Sequence, residues 1–575
     1  MNPLTSIPSH RSHAVLGLCS YTHDSAAALL IDGKLEGFVE EERLSEVKHT
    51  RAYPEQAVAW LLREAHLLPE QVDVVAYNFH GSLYFGDLAA LPLHLGSGPA
   101  LERARSFAKV GLRTMRRVRG LQSEFPNARV RPVRHHHTHQ LYAFAASGWD
   151  RSAVLIVDSL GETQTTTIAA ASCAGGGGPA LKQVLTLRDP ASLGYAYGAV
   201  TEHLGWRRGD EEGTVMALAA LGDPARFREL FERIIPITAH GFTLHPAYFA
   251  LRVLSSGHKR LRPAFAEATC LPRRPEEPLT EVHRDLAAAL QEHTNQVMLH
   301  LARLAQRRTG ERRLCVGGGV ATNCVSIGKI IEAGVFDEVF VPPAPGDAGT
   351  AIGAAAAAHL EVSSLPLTGL TRCYLGPEYP AASIDMVRWP SLVEKPVDGD
   401  AADFLADQLA AGLIVGLFHG RVEAGPRALG NRSILASPLR SDVVEKLNAV
   451  VKFREPFRPF APMALAEHAA DYFTLDQQAP FMSTASGVTD LARTLIPAIV
   501  HANGTARLQT VTQVDNPFVH AVLAAFARRT GVPVLINTSL NVKGKPICGT
   551  PAMALDCLAE SGLDALMLEE RWFTK

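Results

Sequence analysis

Apolar residues run unbroken through Val15-Leu16-Gly17-Leu18-Cys19, stop at a polar turn over residues 20–25, and resume over 26–31 before an Asp32-Gly33 pair. Short apolar runs bounded by turn residues predict buried strands, and Asp-Gly between them predicts a hairpin. The pattern returns with an apolar run over 153–157, a polar turn over 158–162 and a threonine-rich strand over 163–168. One strand–turn–strand device used twice predicts a duplicated α/β half-domain. A third run, 314–317, enters three glycines and then a helical pattern. Glycine there lets backbone approach a ligand, and a helix N-terminus favours an anion or a polar ring edge. A fourth run, 341–350, passes through Pro342, Pro343 and Pro345 to Asp347, where a strand ends and a small-residue helix begins.

Duplicated halves of this kind resemble the fold of actin, the heat-shock chaperone ATPases and the sugar kinases, whose paired turns grip nucleotide phosphates between two lobes. Between the halves the pattern weakens. Residues 102–120 carry seven basic residues against one acid and predict a solvated basic helix, with an acidic-ligand surface as the other reading. Residues 174–179 hold four consecutive glycines without the Gly-Lys-Ser/Thr ending of a phosphate-binding loop, and predict a hairpin loop. Residues 223–278 are irregular and predict an insertion on the acceptor side. Residues 361–396, rich in Pro, Ser and Thr, predict a linker between a first domain, 1–360, and a second, 397–575. The second opens with an amphipathic helix over 401–411 and a strand over 414–418.

With 575 residues, 47% hydrophobic, 20% charged and a net charge of −2, the chain reads as a globular protein of more than one domain. No basic excess points to nucleic acid. The eight cysteines are scattered without a Cys-x-x-Cys pair, which argues against a zinc ribbon, a redox dithiol or a disulfide framework and fits a reducing cytoplasm. Residues 1–12 lack the apolar core of a signal peptide, and the longest apolar run, 348–358, is too short to span a bilayer. Cytoplasmic location without membrane attachment is the expectation.

Chemistry enters at Arg134-His135-His136-His137-Thr138-His139. If a helix starts here, His135 and His139 stack on one face, a spacing found in metal sites, and Asp158 at a strand end adds a carboxylate. A histidine-rich polar loop is the alternative. His137 is expected to face solvent or pack; His136 stays open as a substrate contact. In the second domain Arg421, Arg427, Arg432, Lys452, Arg454, Arg458 and Arg507 accumulate, several between Pro, Gly and Phe. Arginines held in such rigid contexts predict a planar anionic ligand, phosphate or carboxylate.

Taken together, these stretches resemble the NodU/CmcH/TobZ family of ATP-dependent O-carbamoyltransferases from about residue 15 to the C-terminus. The resemblance is carried by Ser20-x-x-His23-Asp24-Ser25, Glu41-Glu42-Arg43-x4-Lys48-His49, His135-His136-x-x-His139, Asp158-x-x-Gly161-Glu162 and Ser192-Leu193-Gly194-x-x-Tyr197. It continues through Gly318-Gly319-Val320-Ala321-x-Asn323, Gly346-Asp347-x-Gly349, Gly425-Pro426-Arg427-Ala428-Leu429-Gly430, Arg458-Pro459-Phe460-Ala461-Pro462 and Asn537-Thr538-Ser539-x-Asn541. It implies an actin-like (ASKHA) transfer domain followed by a YrdC-like α/β domain whose Lys452-x-Arg454 and Ser539-x-Asn541 match that domain's signature. Carbamoyl phosphate and ATP, with Mg2+, would give carbamoyl adenylate in the second domain. Arg427, Lys452, Arg454, Arg458 and Arg507 would neutralise the phosphates there, with Ser539 and Asn541 as polar positioners.

The first domain would pass the carbamoyl group to a small-molecule alcohol of secondary metabolism and release AMP. His135, His139, Asp158 and Asp347 match the family's metal ligands, for which iron is implied. Gly161, Glu162, Gly318, Gly319 and Asn323 would bind nucleotide, His23 would handle the acceptor proton, and Asp24 and Lys48 would contact substrate; a homodimer stays open. Thr214 stands where the family carries lysine, and His419 where glutamine is common. A tRNA-modifying fusion of the same units and a non-catalytic nucleotide-gated actin-like protein are the competing readings; the first lacks a basic face and the second leaves the arginines without a role.

Overall fold

The computed structural model describes residues 12–86, 100–173, 178–254, 257–380, 386–440 and 442–575. The residues read for a leader, most of 1–12, and three of the four glycines of the run, 175–177, therefore lie outside the described residues.

Three sheets organise the chain. The first holds β1 (Ala14–Cys19), β2 (Ala26–Ile31), β3 (Lys34–Glu40), β4 (Val74–Tyr77) and β5 (Arg129–Pro132) in the order β3-β2-β1-β4-β5. The second holds β6 (Arg151–Gly161), β7 (Gln164–Cys173) and β8 (Pro179–Arg188), joined, beyond a small hairpin of β9 (Ile237–Thr238) and β10 (Gly241–Phe242), by β11 (Arg313–Gly317) and β12 (Glu338–Phe340). Its order is β8-β7-β6-β11-β12. In each sheet three antiparallel strands are followed by two parallel ones. The duplication predicted from the repeated strand–turn–strand pattern is thus present strand for strand.

The helices repeat as well. In the first half α1 (Glu55–Glu64) and α2 (Ala100–Glu124) sit between strands, and α3 (His135–Ser147) follows the last strand. In the second half come α4 (Leu193–His203), α5 (Glu212–Ala219), α6 (Glu281–Thr309) and α7 (Cys324–Glu332), and α8 (Thr350–Val362) follows the last strand. Helices α3 and α8 pack against each other between the sheets, in a core of Leu141, Tyr142, Ile352 and a run of alanines. Alanine is favourable in a helix and small enough for close backbone approach. Both N-termini open onto the same cleft, as do the ends of β1 and β6.

The basic helix predicted over 102–120 is α2, and most of its cations are exposed. Arg103 departs from that expectation: it is buried beside Phe107 and donates to Asp189 at 2.5 Å. The 223–278 stretch buries Phe231, Phe242, Phe249 and Phe265 against the second sheet, and Arg252 reaches Ser159 at 3.2 Å. Within 361–396, Thr368 and Leu375 accept from Leu35 and Phe38 of β3, and Leu375 donates to Val422.

The remaining chain builds a nine-stranded mixed sheet: β13 (Val393–Lys395), β14 (Val415–Phe418), β15 (Arg432–Ala436), β16 (Ala461–Leu465), β17 (Thr484–Gly487), β18 (Thr505–Val511), β19 (Val534–Ser539), β20 (Ala565–Leu568) and β21 (Arg571–Thr574). Their order is β13-β21-β20-β14-β15-β19-β16-β18-β17. Helices α9 (Ala401–Ala410) and α10 (Pro517–Thr530) pack together, and α11 (Pro551–Glu560) lies over β20. No described helix is long and apolar enough to cross a membrane.

Candidate active site

His135 is the first residue of α3, so its imidazole and that of His139, one turn on, lie on the same face. Their Nε2 atoms stand 3.2 Å apart. Asp158, near the end of β6, brings Oδ2 to 3.6 Å from His135 Nε2. Asp347, just before α8, brings Oδ1 to 3.4 Å from His135 Nε2 and 3.8 Å from His139 Nε2. One ligand atom from each of the four residues falls within 4.8 Å of all the others, and all four residues are buried. The histidine-rich stretch is therefore helical and inward-facing, not a polar loop.

Neighbours fix these groups. The Asn78 carbonyl, 3.3 Å from His135 Nδ1, can only accept, so Nδ1 donates there and Nε2 is turned to the cluster. Phe79 stacks on the ring at 4.2 Å. Gly319 N–H donates to Asp158 Oδ1 at 3.2 Å, and the N–H groups of His80 and His135 both donate to Glu162. Asn323 caps α7 and bonds Gln291. Gly161 packs against the His135 and His136 rings, and Gly318 against Val157.

The electrostatics of the cluster ask for a cation. Burial alone would raise Asp158 and Asp347; the surrounding histidines outweigh it and hold both well below the usual carboxylate range. Burial would lower His135, and the two carboxylates raise it to about 10. Among the described residues no lysine or arginine pairs with either aspartate. Two buried carboxylates beside inward-turned imidazoles fit a divalent first-row ion, since buried charges are otherwise paired or neutralised. His136 stays close: its Nδ1 bonds Thr167 at 3.0 Å, its buried Nε2 has no partner, and burial pushes it down to about 3. His137 is half-buried on the other side of α3.

At the mouth of the cleft lies the turn after β1. His23 Nδ1 donates to Asp24 at 2.9 Å. His49 bridges two carboxylates, Asp24 at 2.5 Å and Asp210 at 2.9 Å, so both its nitrogens donate and it is an imidazolium. Burial opposes that charge, and Asp210 and Asp24 raise His49 to about 9. Lys48 is tied to Asp210 at 2.5 Å. His49 and Asp210 received no role from sequence; His49 stands inside a quoted motif, but Asp210 lies in a turn 161 residues away.

The second cluster has the opposite sign. The π-helical turn Leu447–Lys452 ends on a lysine whose Nζ donates to Ser539 O, to Asn541 Oδ1 at 2.7 Å and to Asn541 O at 3.1 Å. Arg454 donates to Asn448 at 2.8 Å and lies over the Phe460 ring. Arg507 repels Arg427 directly, and burial adds to the depression of Arg427. Burial and then the Arg458 and Arg507 charges depress Arg454. The one ion pair these five cations make among the described residues is Arg458–Glu455, at 3.9 Å. Arg507 Nε is buried without a partner.

Arg421 and Arg432, grouped with these by sequence, belong elsewhere. Arg432 is fully buried on Phe418 and donates to the carbonyls of His419 and Gly420; Arg421 donates to those of Leu375 and Gly376. Neutral backbone carbonyls, not an anionic ligand, accept from both guanidinium groups. His419, at the glutamine position, stacks on Phe518 and faces Glu569 at 3.1 Å. Thr214, at the lysine position, is buried with an unpartnered hydroxyl.

Two family models cover most of the chain: the carbamoyltransferase N-terminus matches residues 14–84 and 111–356, and the carbamoyltransferase C-terminus matches 406–575. The chain belongs to the carbamoyltransferase family. As the family resemblance implied, it is an enzyme, and the group it transfers is carbamoyl. Relatives of this carbamoyltransferase include the nodulation protein NolNO of Sinorhizobium fredii, 35% identical over 96% of this chain and 78% of the relative. The nodulation protein NolO of Bradyrhizobium diazoefficiens is 37% identical over 76% of this chain and 78% of its own. The 3'-hydroxymethylcephem-O-carbamoyltransferase of Amycolatopsis lactamdurans is 30% identical over 64% of this chain and 65% of its own.

Proposed function

We propose that this carbamoyltransferase works through two sites of opposite charge and modifies a hydroxyl of a small natural product. The carrying observation is the cationic cluster of buried Lys452 and half-buried Arg427, Arg454, Arg458 and Arg507, whose single described ion pair leaves it short of negative charge. Carbamoyl phosphate and ATP supply that charge. Water releases carbamate and phosphate from carbamoyl phosphate; a carbamate oxygen attacks the α-phosphorus of ATP, and pyrophosphate leaves. Lys452, oriented by Ser539 and Asn541, and the arginines hold the phosphates in line and stabilise charge that builds on the equatorial oxygens. This is the chemistry of a YrdC-like domain, and the nine-stranded sheet is its scaffold in this reading.

The duplicated half, read as an actin-like domain, then presents the adenylate to the acceptor. The acceptor oxygen attacks the carbamoyl carbon, AMP leaves, and a proton is lost. His23, its Nδ1 held by Asp24, keeps Nε2 for that proton. His135, His139, Asp158 and Asp347 would hold a divalent ion, with iron the choice the family implies, which would neutralise the two carboxylates and polarise the carbamoyl carbonyl. The 3'-hydroxymethylcephem and nodulation relatives support a small hydroxylated acceptor of secondary metabolism.

The test supplies ATP, carbamoyl phosphate and ferrous iron and follows pyrophosphate–ATP exchange. Exchange that depends on carbamoyl phosphate is expected. Its absence, or exchange that does not need carbamoyl phosphate, contradicts the adenylate step. Metabolites of the producing cells that gain one carbamoyl group in the presence of the enzyme then identify the acceptor.

A further inference from the structure

A short segment of the duplicated half reaches into the cationic site. Glu40 closes β3, Glu42 and Arg43 follow it, and all three are buried, Arg43 with 2% of its surface exposed. Glu40 Oε1 accepts from the Gly425 N–H at 2.6 Å, and Arg43 Nη2 donates to the Gly425 carbonyl at 2.7 Å. Both backbone polar groups of Gly425 are therefore read by side chains from the other half of the molecule, two residues before Arg427. Gly425 has φ +95°, and a Cβ there would lie 1.9 Å from the Pro343 carbonyl oxygen. The turn is wedged between the Glu40–Arg43 pair and the strand-end loop that leads to Asp347.

The same segment touches the second loop of the cationic site. A Cβ on Gly549 would lie 1.8 Å from the Arg43 carbonyl oxygen, so backbone packs on backbone. Next to Gly549, Cys548 donates to Leu540 at 2.9 Å, between the two residues, Ser539 and Asn541, that orient Lys452. In the opposite direction Glu42 bonds Arg43 at 3.0 Å and accepts from His49 N–H at 2.8 Å, which continues through Asp24 to His23. A surface joint between domains would be wet and exposed; this one is buried and charged, hydrogen-bonds the backbone of one cationic loop and packs on that of the other.

We infer that Glu40 and Arg43 are positioning residues for the carbamoyl phosphate site, setting the Arg427 turn and the Lys452-binding loop from the transfer half. The inference rests on the two-site reading above. Displacing a phosphate clamp by about 1 Å costs up to about a hundredfold. Glu40→Gln keeps the shape and an oxygen for the Gly425 N–H but removes the carboxylate that faces Arg43 at 3.8 Å; Arg43→Lys keeps the charge but loses the forked reach to Gly425 and Glu42. Carbamoyl-phosphate-dependent pyrophosphate–ATP exchange reads the cationic site without an acceptor. The expected result is a rise in KM for carbamoyl phosphate of roughly tenfold or more in both variants, with kcat changed far less.

A merely structural role would lower the folded fraction, and hence apparent kcat, at unchanged KM. Unchanged KM in variants with wild-type thermal unfolding overturns the inference; if Arg43→Lys fails to fold, the isosteric Glu40→Gln decides. Absence of exchange in the wild type is a different failure: it overturns the two-site reading, and this assignment with it.

Discussion

Around His135 and around Lys452 the chain buries charge in opposite ways. The first cluster sets two aspartates against histidines, with no lysine or arginine paired to either among the described residues. The second packs four arginines and a lysine together, with one ion pair, Arg458–Glu455, among the described residues. Burying uncompensated charge costs several kcal/mol per ion, so each arrangement persists because the rest of the fold outweighs it. The signs differ because the missing partners differ: a small cation fits among two imidazoles and two carboxylates, and a polyanion among guanidinium forks. The buried Glu40–Arg43 segment lies between the two.

The contrast breaks most sharply at Lys452. Lys452→Ala is expected to reduce pyrophosphate–ATP exchange by about 10² to 10³, as loss of one transition-state charge contact does, while bound metal measured by elemental analysis stays at the wild-type level. Metal loss in that variant would merge the two sites.

A smaller effect follows from pH. Burial first, and the Arg454 charge second, hold the Lys452 ammonium down to about 7 in the ligand-free site. This group is depressed, so the folded protein carries its penalty below pH 7 and loses it as pH rises from there towards the unfolded lysine's value. An incoming phosphate must draw a proton onto the amine above that pH. Affinity for inorganic phosphate should fall about tenfold per unit between pH 7 and roughly 9, with proton uptake visible by calorimetry in buffers of different ionisation enthalpy. Flat affinity over that range contradicts a buried, repelled lysine.

The smallest effect is on stability. Arg507→Met removes one of the repelling cations and should raise the melting temperature of the ligand-free protein by a few degrees, at ~2–4 °C per kcal/mol, while exchange is lost. A fall in melting temperature would show that Arg507 is held by favourable contacts and not tolerated for its ligand.

Much of this was legible in order along the chain. The apolar runs at 15–19 and 153–157 became β1 and β6 because each is buried on both faces and needs no alternation. The His135–His139 pair was visible because four residues make one helical turn. Asp347, by contrast, sits far from both in sequence and was reachable only through the family motif. The His49–Asp210 bridge was not legible, since no local pattern reports which turn of a distant loop meets which histidine. Arg103 and Arg432 misled for a related reason. A count of basic residues cannot see Asp189, 86 residues from Arg103, or the carbonyls that surround Arg432.

The division of labour between the clusters is tested most directly by His139→Ala. The account predicts wild-type pyrophosphate–ATP exchange with carbamoyl phosphate, together with loss of bound metal and of carbamoyl transfer to the acceptor. Loss of exchange along with transfer, in a variant that remains folded, would contradict it.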